Sequence, residues 1–158
     1  MKVEIPGVLQ KFSAMPIGGF FNTALSLRKD FGICVSIDGK QLAAIIFPEK
    51  SPPRLQTGGL PTDVVYYPEA ILRAEGFEFL KADEFGFWSV MKAADGNSYI
   101  RAIEGGLGNY RTFNLDTGLQ APLADDVSRI LYARWKVGQL IDGEFAEIFA
   151  WASPPPET

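Results

Sequence analysis

Runs of apolar residues separated by short polar turns dominate the chain, and the clearest pair of runs spans residues 31–47. Residues 31–37 and 40–47 are rich in β-branched, aliphatic and aromatic side chains, and Asp38-Gly39 stands between them. An Asp-Gly pair is typical of the type I′ turn, in which both central residues need a positive φ. The pattern therefore predicts an antiparallel hairpin.

A second hairpin is predicted further along the chain. Residues 85–92 alternate large apolar and smaller or polar side chains, and residues 98–103 return with a similar composition. The intervening segment 93–97 contains another Asp-Gly pair, which is typical of a turn. A third hairpin is predicted for residues 110–115, which turn at residues 116–118 and return at residues 119–122.

The C-terminal part of the chain also favours extended structure. Residues 129–137 alternate in a strand-like way, although a helix capped by Asp125 or Asp126 is the alternative. We expect a strand, because Trp, Tyr and Val are poor helix formers. Residues 144–152 alternate similarly and predict a last strand, with residues 139–143 as the turn before it.

Helical signals are few. Residues 68–76 begin with proline, continue with an acid and end at glycine, which predicts two helical turns. Residues 22–29 predict another short helix, with Asn22 as its N-cap.

Two segments are predicted to be irregular. Residues 48–62 hold four prolines and two glycines, and a connection this long is usually functional or disordered. Residues 153–158 include three consecutive prolines and predict an extended tail. We therefore expect one β-rich globular domain over residues 1–152, followed by a proline-rich tail.

Together these elements predict an all-β or β-dominated fold. We expect an antiparallel, hairpin-built barrel or sandwich of about eight to ten strands with one or two short helices. The 158 residues, 47% of them hydrophobic, are enough for one core.

The net charge and the cysteine content limit the classes of partner and the cellular compartment that we expect. The net charge is −4, so no basic footprint favours nucleic acid or an anionic membrane surface. Cys34 is the only cysteine, which excludes an intramolecular disulfide, and its apolar neighbours predict a buried thiol. We expect a cytoplasmic protein, because the first residues lack the apolar segment of a signal peptide.

The chain has no histidine, and this absence excludes several kinds of catalytic and metal site. Serine and cysteine triads, and zinc sites with histidine ligands, all need an imidazole. We predict no metal site, no cofactor and no catalytic residue. Asp116-Thr117-Gly118 looks like the catalytic turn of aspartic proteases, but it occurs once and Leu119 follows it, so a hairpin turn is the interpretation.

Aromatic and arginine side chains in the second and third hairpins are the best candidates for a site. If these strands pair, they form a patch of the kind that binds sugars, other planar ligands or partner proteins. Its candidate residues are Trp88, Tyr99, Arg101, Tyr110 and Arg111. Core packing is the alternative for Trp88 and Tyr99, and Tyr66 and Tyr67 are open to the same two interpretations.

The leading functional hypothesis is a non-catalytic binding or assembly module that acts through an aromatic-rich sheet face or a loop. Its partner would be another protein, a second copy of the chain or a small ligand. The alternative is an enzyme, a hydrolase or isomerase, that works with carboxylates and arginines.

Overall fold

In a computed structural model, which describes residues 7–23, 30–48, 51–75, 90–105, 109–121, 129–132 and 134–152, the chain forms two β-sheets. Thirteen strands, β1 to β13 in chain order, occur in these residues. The larger sheet holds β1 (Val8–Lys11), β2 (Phe20–Thr23), β3 (Phe31–Ile37), β4 (Gln41–Phe47), β5 (Arg54–Gln56), β6 (Asp63–Tyr67), β8 (Val90–Ala93), β9 (Ser98–Ile103), β10 (Tyr110–Asn114) and β11 (Arg129–Tyr132). The smaller sheet holds β7 (Ile71–Glu75), β12 (Arg134–Ile141) and β13 (Glu144–Ala152).

The strand order of the larger sheet is β1-β6-β2-β3-β4-β5-β9-β8-β11, with β10 also paired to β9. Among the described strands of this sheet, neighbours pair antiparallel except for one short parallel contact between β5 and β9. The β-dominated class is therefore confirmed, although the predicted number of strands was too low. Within the described part of the chain, β1 and β11 end the order and no sheet closes into a barrel.

The first predicted hairpin is confirmed as β3 and β4. Asp38 and Gly39 both have positive φ, 52° and 68°, and the amide of Lys40 donates to the carbonyl of Ile37 at 3.1 Å. Every residue of β3 is buried. Its two faces contribute to two separate core clusters, one around Ile33 and the other around Cys34.

The two sheets share the first of these clusters. Aromatic rings from β3 and β4 in the larger sheet meet rings from β12 and β13 in the smaller one. Phe47, for example, meets Trp135 edge-on at 5.0 Å between centroids and Trp151 at 5.8 Å. Such offset and edge-to-face contacts add to the burial of apolar surface between the sheets.

The second hairpin is confirmed where it is described, because β8 and β9 pair around the turn at residues 93–97. Its first residues, 85–89, lie outside the described residues. The third hairpin is also present: β10 turns at residues 115–117, and Phe113 forms an isolated bridge with Gln120.

The strand prediction for residues 129–137 is confirmed, but two strands share the segment. β11 pairs with β8 in the larger sheet, whereas β12 pairs with β13 and β7 in the smaller one. The turn predicted at residues 139–143 was too long. Gln139 to Ile141 continue β12, and the turn consists of Asp142 and Gly143, with φ of 52° and 82°.

The helix predicted for residues 68–76 was wrong. Pro68 and Glu69 form a turn, and Ile71–Glu75 is β7, whose Leu72 pairs with Val137. Pairing with a distant strand overrides the local helical signal here. The one helical element in the described residues is the three-residue 3-10 helix Phe12–Ala14, which the sequence did not predict.

Two further predictions are corrected in part. Asn22 lies in β2 rather than at a helix start, and residues 24–29 lie outside the described residues. The segment 48–62 is not wholly irregular, because it contains β5, which pairs with β4. The proline-rich tail at residues 153–158 is also outside the described residues.

Candidate functional site

Strands β9 and β10 bring three of the five predicted site residues onto one face of the larger sheet. The register pairs Arg101 with Thr112 and Tyr99 with Asn114, which places Tyr110 diagonally across from Arg101. Side chains two residues apart on a strand share a face, so Tyr99, Arg101 and Tyr110 point the same way. Trp88 lies outside the described residues.

Arg101 and Tyr110 are in direct contact. The guanidinium carbon of Arg101 lies 4.2 Å from the centre of the Tyr110 ring, within the range of a cation–π interaction. Arg101 is only 9% exposed, whereas Tyr110 is 43% exposed. The buried arginine therefore holds an aromatic ring at the surface.

Arg111 lies on the opposite face of the same strand pair. Its Nε donates to Glu104 Oε2 at 2.6 Å, and its Nη1 donates to the side-chain oxygen of Gln120 at 3.1 Å. Two partners from different segments fix the guanidinium in place.

Arg111 and Tyr110 point to opposite faces of the sheet, but both line a cleft at the end of the β9–β10 hairpin. The cleft has a volume of about 580 Å³, and the described residues that line it are Glu104, Asn109, Tyr110 and Arg111. It therefore combines an exposed aromatic ring with a carboxylate, an amide and a guanidinium. This is the arrangement that we consider the candidate functional site, and we call it the hairpin cleft.

Tyr99 has a structural role next to this site. Its hydroxyl donates to Asp95 Oδ2 at 2.8 Å, and Asp95 Oδ1 accepts from the amide of Asn97 at 2.9 Å. The Asn97 amide first and the Tyr99 hydroxyl second hold the pKa of Asp95 below its ordinary value. The same contact with Asp95 raises the pKa of Tyr99. The pair closes the turn between β8 and β9.

Asp116-Thr117-Gly118 is a hairpin turn, as expected. Asp116 Oδ2 accepts from the amide of Ser98 at 2.8 Å, and the amide of Asp116 donates to the side chain of Asn114. The carboxylate therefore ties the third hairpin to the start of β9.

No significant match links the chain to a protein-family model, a curated protein or a solved structure. The function must therefore be inferred from the chain's own residues.

Neither a metal centre nor a reactive thiol is apparent in the described ranges. Acidic and cysteine side chains do not form a group of three there that could hold an ion. Cys34 is fully buried, and burial raises the pKa of its thiol to about 12. In the same ranges, no helix is long and apolar enough to cross a membrane.

Sequence reasoning missed Glu104, Asn109 and Gln120. Glu104 and Asn109 flank a glycine-rich stretch of the sequence, and neither residue carries a local signal for a binding site. Glu104 and Arg111 are seven residues apart and meet only because β9 and β10 pair around this connection. A hairpin register drawn from residue 103 to residue 110 would have brought them together.

Proposed function

We propose that the chain is a non-catalytic binding module that holds a partner protein at the hairpin cleft. The observation that carries this proposal is the exposed ring of Tyr110, positioned over the buried guanidinium of Arg101. Tyrosine and arginine are enriched among the residues that dominate binding energy at protein interfaces. The sheet supplies the rigid support on which such residues are most effective.

Preorganisation supports the proposal further. Tyr110 is held by Arg101, and Arg111 is held by Glu104 and Gln120. Side chains that are ordered before binding lose less conformational entropy when the complex forms. The polar groups around the ring also match the polar rim that surrounds a typical interface hot spot.

The alternative, an enzyme based on carboxylates and arginines, receives less support. An acid catalyst that works near neutral pH needs a raised pKa, whereas the pKa of Asp95 is lowered. Asp116 is engaged by a backbone amide in a turn. These two acids therefore stabilise hairpins.

We also propose that residues 1–152 act as one cytoplasmic domain in which the two sheets are arranged as a sandwich. A core cluster with members from both sheets supports this arrangement. The partner must offer a pocket for one tyrosine ring and hydrogen-bond acceptors for a guanidinium group.

Site-specific photo-crosslinking in the source cell tests the proposal. A photoreactive phenylalanine analogue replaces Tyr110 in one protein and Glu144 in a control protein, because Glu144 is exposed on β13, in the other sheet. We expect a discrete adduct from position 110 and not from position 144. An adduct with twice the mass of the chain would identify a second copy as the partner.

Binding by the purified proteins completes the test. Tyr110→Ala should weaken the affinity for the crosslinked partner about tenfold or more, and Arg111→Ala should weaken it less. Tyr110→Ala should change the unfolding temperature little, because the side chain is 43% exposed. Arg111→Ala should also change it little, because the ion pair with Glu104 that it removes is partly open to solvent. The absence of any adduct at position 110, or unchanged affinity in Tyr110→Ala, would overturn the proposal.

A further inference from the structure

The ladder between β7 and β12 ends before β12 does. Its last pair is Ile71 with Gly138, whereas β12 continues to Ile141. The same register would place Glu69 opposite Leu140, but Glu69 lies in a turn and has a φ of +58°, which is outside the range of a strand. Among the described residues, the end of β12 therefore lacks a neighbouring strand on this side. We call the space between residues 139–141 and residues 68–70 the ladder gap.

Leu140 directs its backbone hydrogen-bonding groups into the ladder gap. A two-residue turn joins β12 to β13, and Ile141 and Glu144 are the hydrogen-bonded pair that flanks it. Because hydrogen-bonded and non-bonded pairs alternate along antiparallel strands, the N–H and C=O of Leu140 point away from β13. In the part of the chain that the structure describes, no backbone group from the gap side bonds to them. One donor and one acceptor are thus open to a further strand.

Exposed apolar side chains surround these backbone groups. A cavity of about 420 Å³ lies at the ladder gap, with Val8 of the larger sheet and Ile71 and Leu140 of the smaller sheet in its lining. Ile71 pairs two residues before Leu140, so these two side chains lie on the same face of the smaller sheet. Val8 is 47% exposed and Leu140 is 56% exposed. Apolar surface is therefore available where the backbone is open.

Gln139 adds a buried polar atom beside the ladder gap. Its Nε2 donates to the carbonyl oxygen of Pro68 at 2.5 Å, so the side chain connects β12 to the turn before β7. Gln139 is only 7% exposed, and its Oε1 accepts no hydrogen bond from the described residues. A buried acceptor without a donor is unfavourable. The surroundings of the gap therefore favour a ligand that carries N–H groups.

We propose that the ladder gap binds a short extended segment of a partner protein by strand addition. One residue of the segment lies opposite Leu140 and exchanges two backbone hydrogen bonds with it. Apolar side chains of the segment cover Ile71 and Leu140. In this mode of recognition the backbone bonds provide affinity and the side chains provide specificity.

The size of the ladder gap favours a flexible segment. Three residues of strand span roughly 10 Å, and a turn bounds the gap on each side. A flexible segment enters such a space more easily than the edge strand of a folded sheet, so we assign the segment to a partner and not to a second copy of this chain. The site shares no residue with the hairpin cleft, and the two proposals stand or fall separately.

Hydrogen exchange of the full chain, followed by amide NMR, tests the strand addition. The probe is the peptide acetyl-Lys-Val-Ile-Val-Lys-amide, and its control carries N-methyl groups on the three apolar residues. In the free protein, the amide of Leu140 should exchange about tenfold or more faster than those of Gln139 and Ile141, which bond to β13. The probe should slow the exchange of Leu140 to a similar extent, and the methylated control should not.

Two serine substitutions separate the site from general loss of apolar surface. Leu140→Ser should weaken binding of the probe about tenfold. Leu119→Ser makes the same change at a position that is 43% exposed and outside the cavity lining, and it should bind like the parent. Both variants should unfold close to the temperature of the parent, since both side chains are exposed.

A third variant removes the hydrogen-bond donor itself. Proline is tolerated on an edge strand where its nitrogen faces away from the neighbouring strand. Leu140→Pro should therefore fold and fail to bind the probe.

Several results would overturn the proposal. A Leu140 amide that exchanges slowly in the free protein would show that the chain fills the gap itself. Equal binding of the methylated control would remove backbone pairing from the interaction, and equal affinities of the two serine variants would place binding elsewhere. The absence of saturable binding at millimolar concentrations would remove the site. Protection of Leu140 that rises with protein concentration, together with dimers in sedimentation, would replace the partner by a second copy.

Discussion

The rings of Phe31 and Phe149 stack with 4.3 Å between their centroids and 8° between their planes. Phe31 lies on β3 of the larger sheet and Phe149 on β13 of the smaller one, 118 positions further along the chain. The contact therefore joins the two sheets across their shared core. Phe149 also meets Trp135 on the neighbouring strand β12, with 5.7 Å between ring centroids. Its ring therefore contacts the larger sheet and a second strand of its own sheet.

Phe149→Ala should lower the free energy of unfolding by about 2 kcal/mol, somewhat less than for a fully buried phenylalanine. The matched control is Phe145→Ala on the same strand, since Phe145 lies under Arg73 at 4.4 Å rather than in the core. We expect a loss of about 1 kcal/mol or less there. Urea unfolding measures both values, and equal losses would contradict the coupling of the sheets through Phe149.

The buried thiol of Cys34 predicts a loss of stability in alkali. Its pKa is raised from 9.0 to about 12 by burial, so between these pH values the unfolded chain loses a proton that the native protein keeps. Stability must therefore fall as the pH rises above about 9, by about 1.4 kcal/mol at about pH 10. The Cys34→Ala variant has no thiol at this position, so its stability should lack this fall in alkali.

The measurement is the difference in unfolding free energy between the parent and Cys34→Ala at several alkaline pH values. Other titrating groups cancel in this difference, because both proteins contain them. A difference that does not change with pH would show that the thiol has the same pKa in the native protein as in the unfolded chain. A thiol reagent should also label Cys34 only after denaturant is added.

The hydrogen bond between Tyr99 and Asp95 predicts a measurable change in one carboxyl group. Tyr99→Phe should raise the pKa of Asp95 towards its ordinary value, although the Asn97 amide, the larger influence, remains. Because the native pKa is lowered, the stabilising contribution of Asp95 is present above its ordinary value of 3.8 and is lost as the pH falls through the native pKa. Carboxyl NMR during acid titration tests this, and an unchanged pKa would assign the whole effect to the Asn97 amide.

Gly138 should tolerate substitution much less well than Gly143. A Cβ atom at Gly138 would overlap the backbone oxygen of Ala146 and the ring of Phe145, at the register shift between β12 and β13. We expect Gly138→Ala to cost about 3 kcal/mol of unfolding free energy. Gly143→Ala faces open space but keeps a positive φ, so it should cost only about 1 kcal/mol. Thermal unfolding compares the two, and equal costs would contradict the overlap.

Local signals predicted the hairpins well because the turn residues themselves carry the geometry. Asp38-Gly39 takes the positive φ values that the pair is known to favour, and β3 and β4 follow on either side. The helix predicted at residues 68–76 failed for a physical reason. Proline suits the second position of a turn as well as the first turn of a helix, and β7 is stabilised by β12, about 60 residues away.

The candidate site could be predicted only in part, because it depends on how strands pair as well as on local sequence. Alternation along β9 already places Tyr99 and Arg101 on one face, and this much is visible in the sequence. The position of Tyr110 next to Arg101 depends on the register with β10.

The strands β12 and β13 cover the hairpin of β3 and β4, and this has a consequence for the protein as it is synthesised. The rings of Phe31 and Phe47 emerge from the ribosome before the smaller sheet is complete, within a hairpin whose two strands are close in sequence. Their covering residues, Trp135, Phe149 and Trp151, are translated roughly a hundred codons later. Until then the nascent chain carries an exposed apolar sheet face, which makes it a natural client for ribosome-associated chaperones.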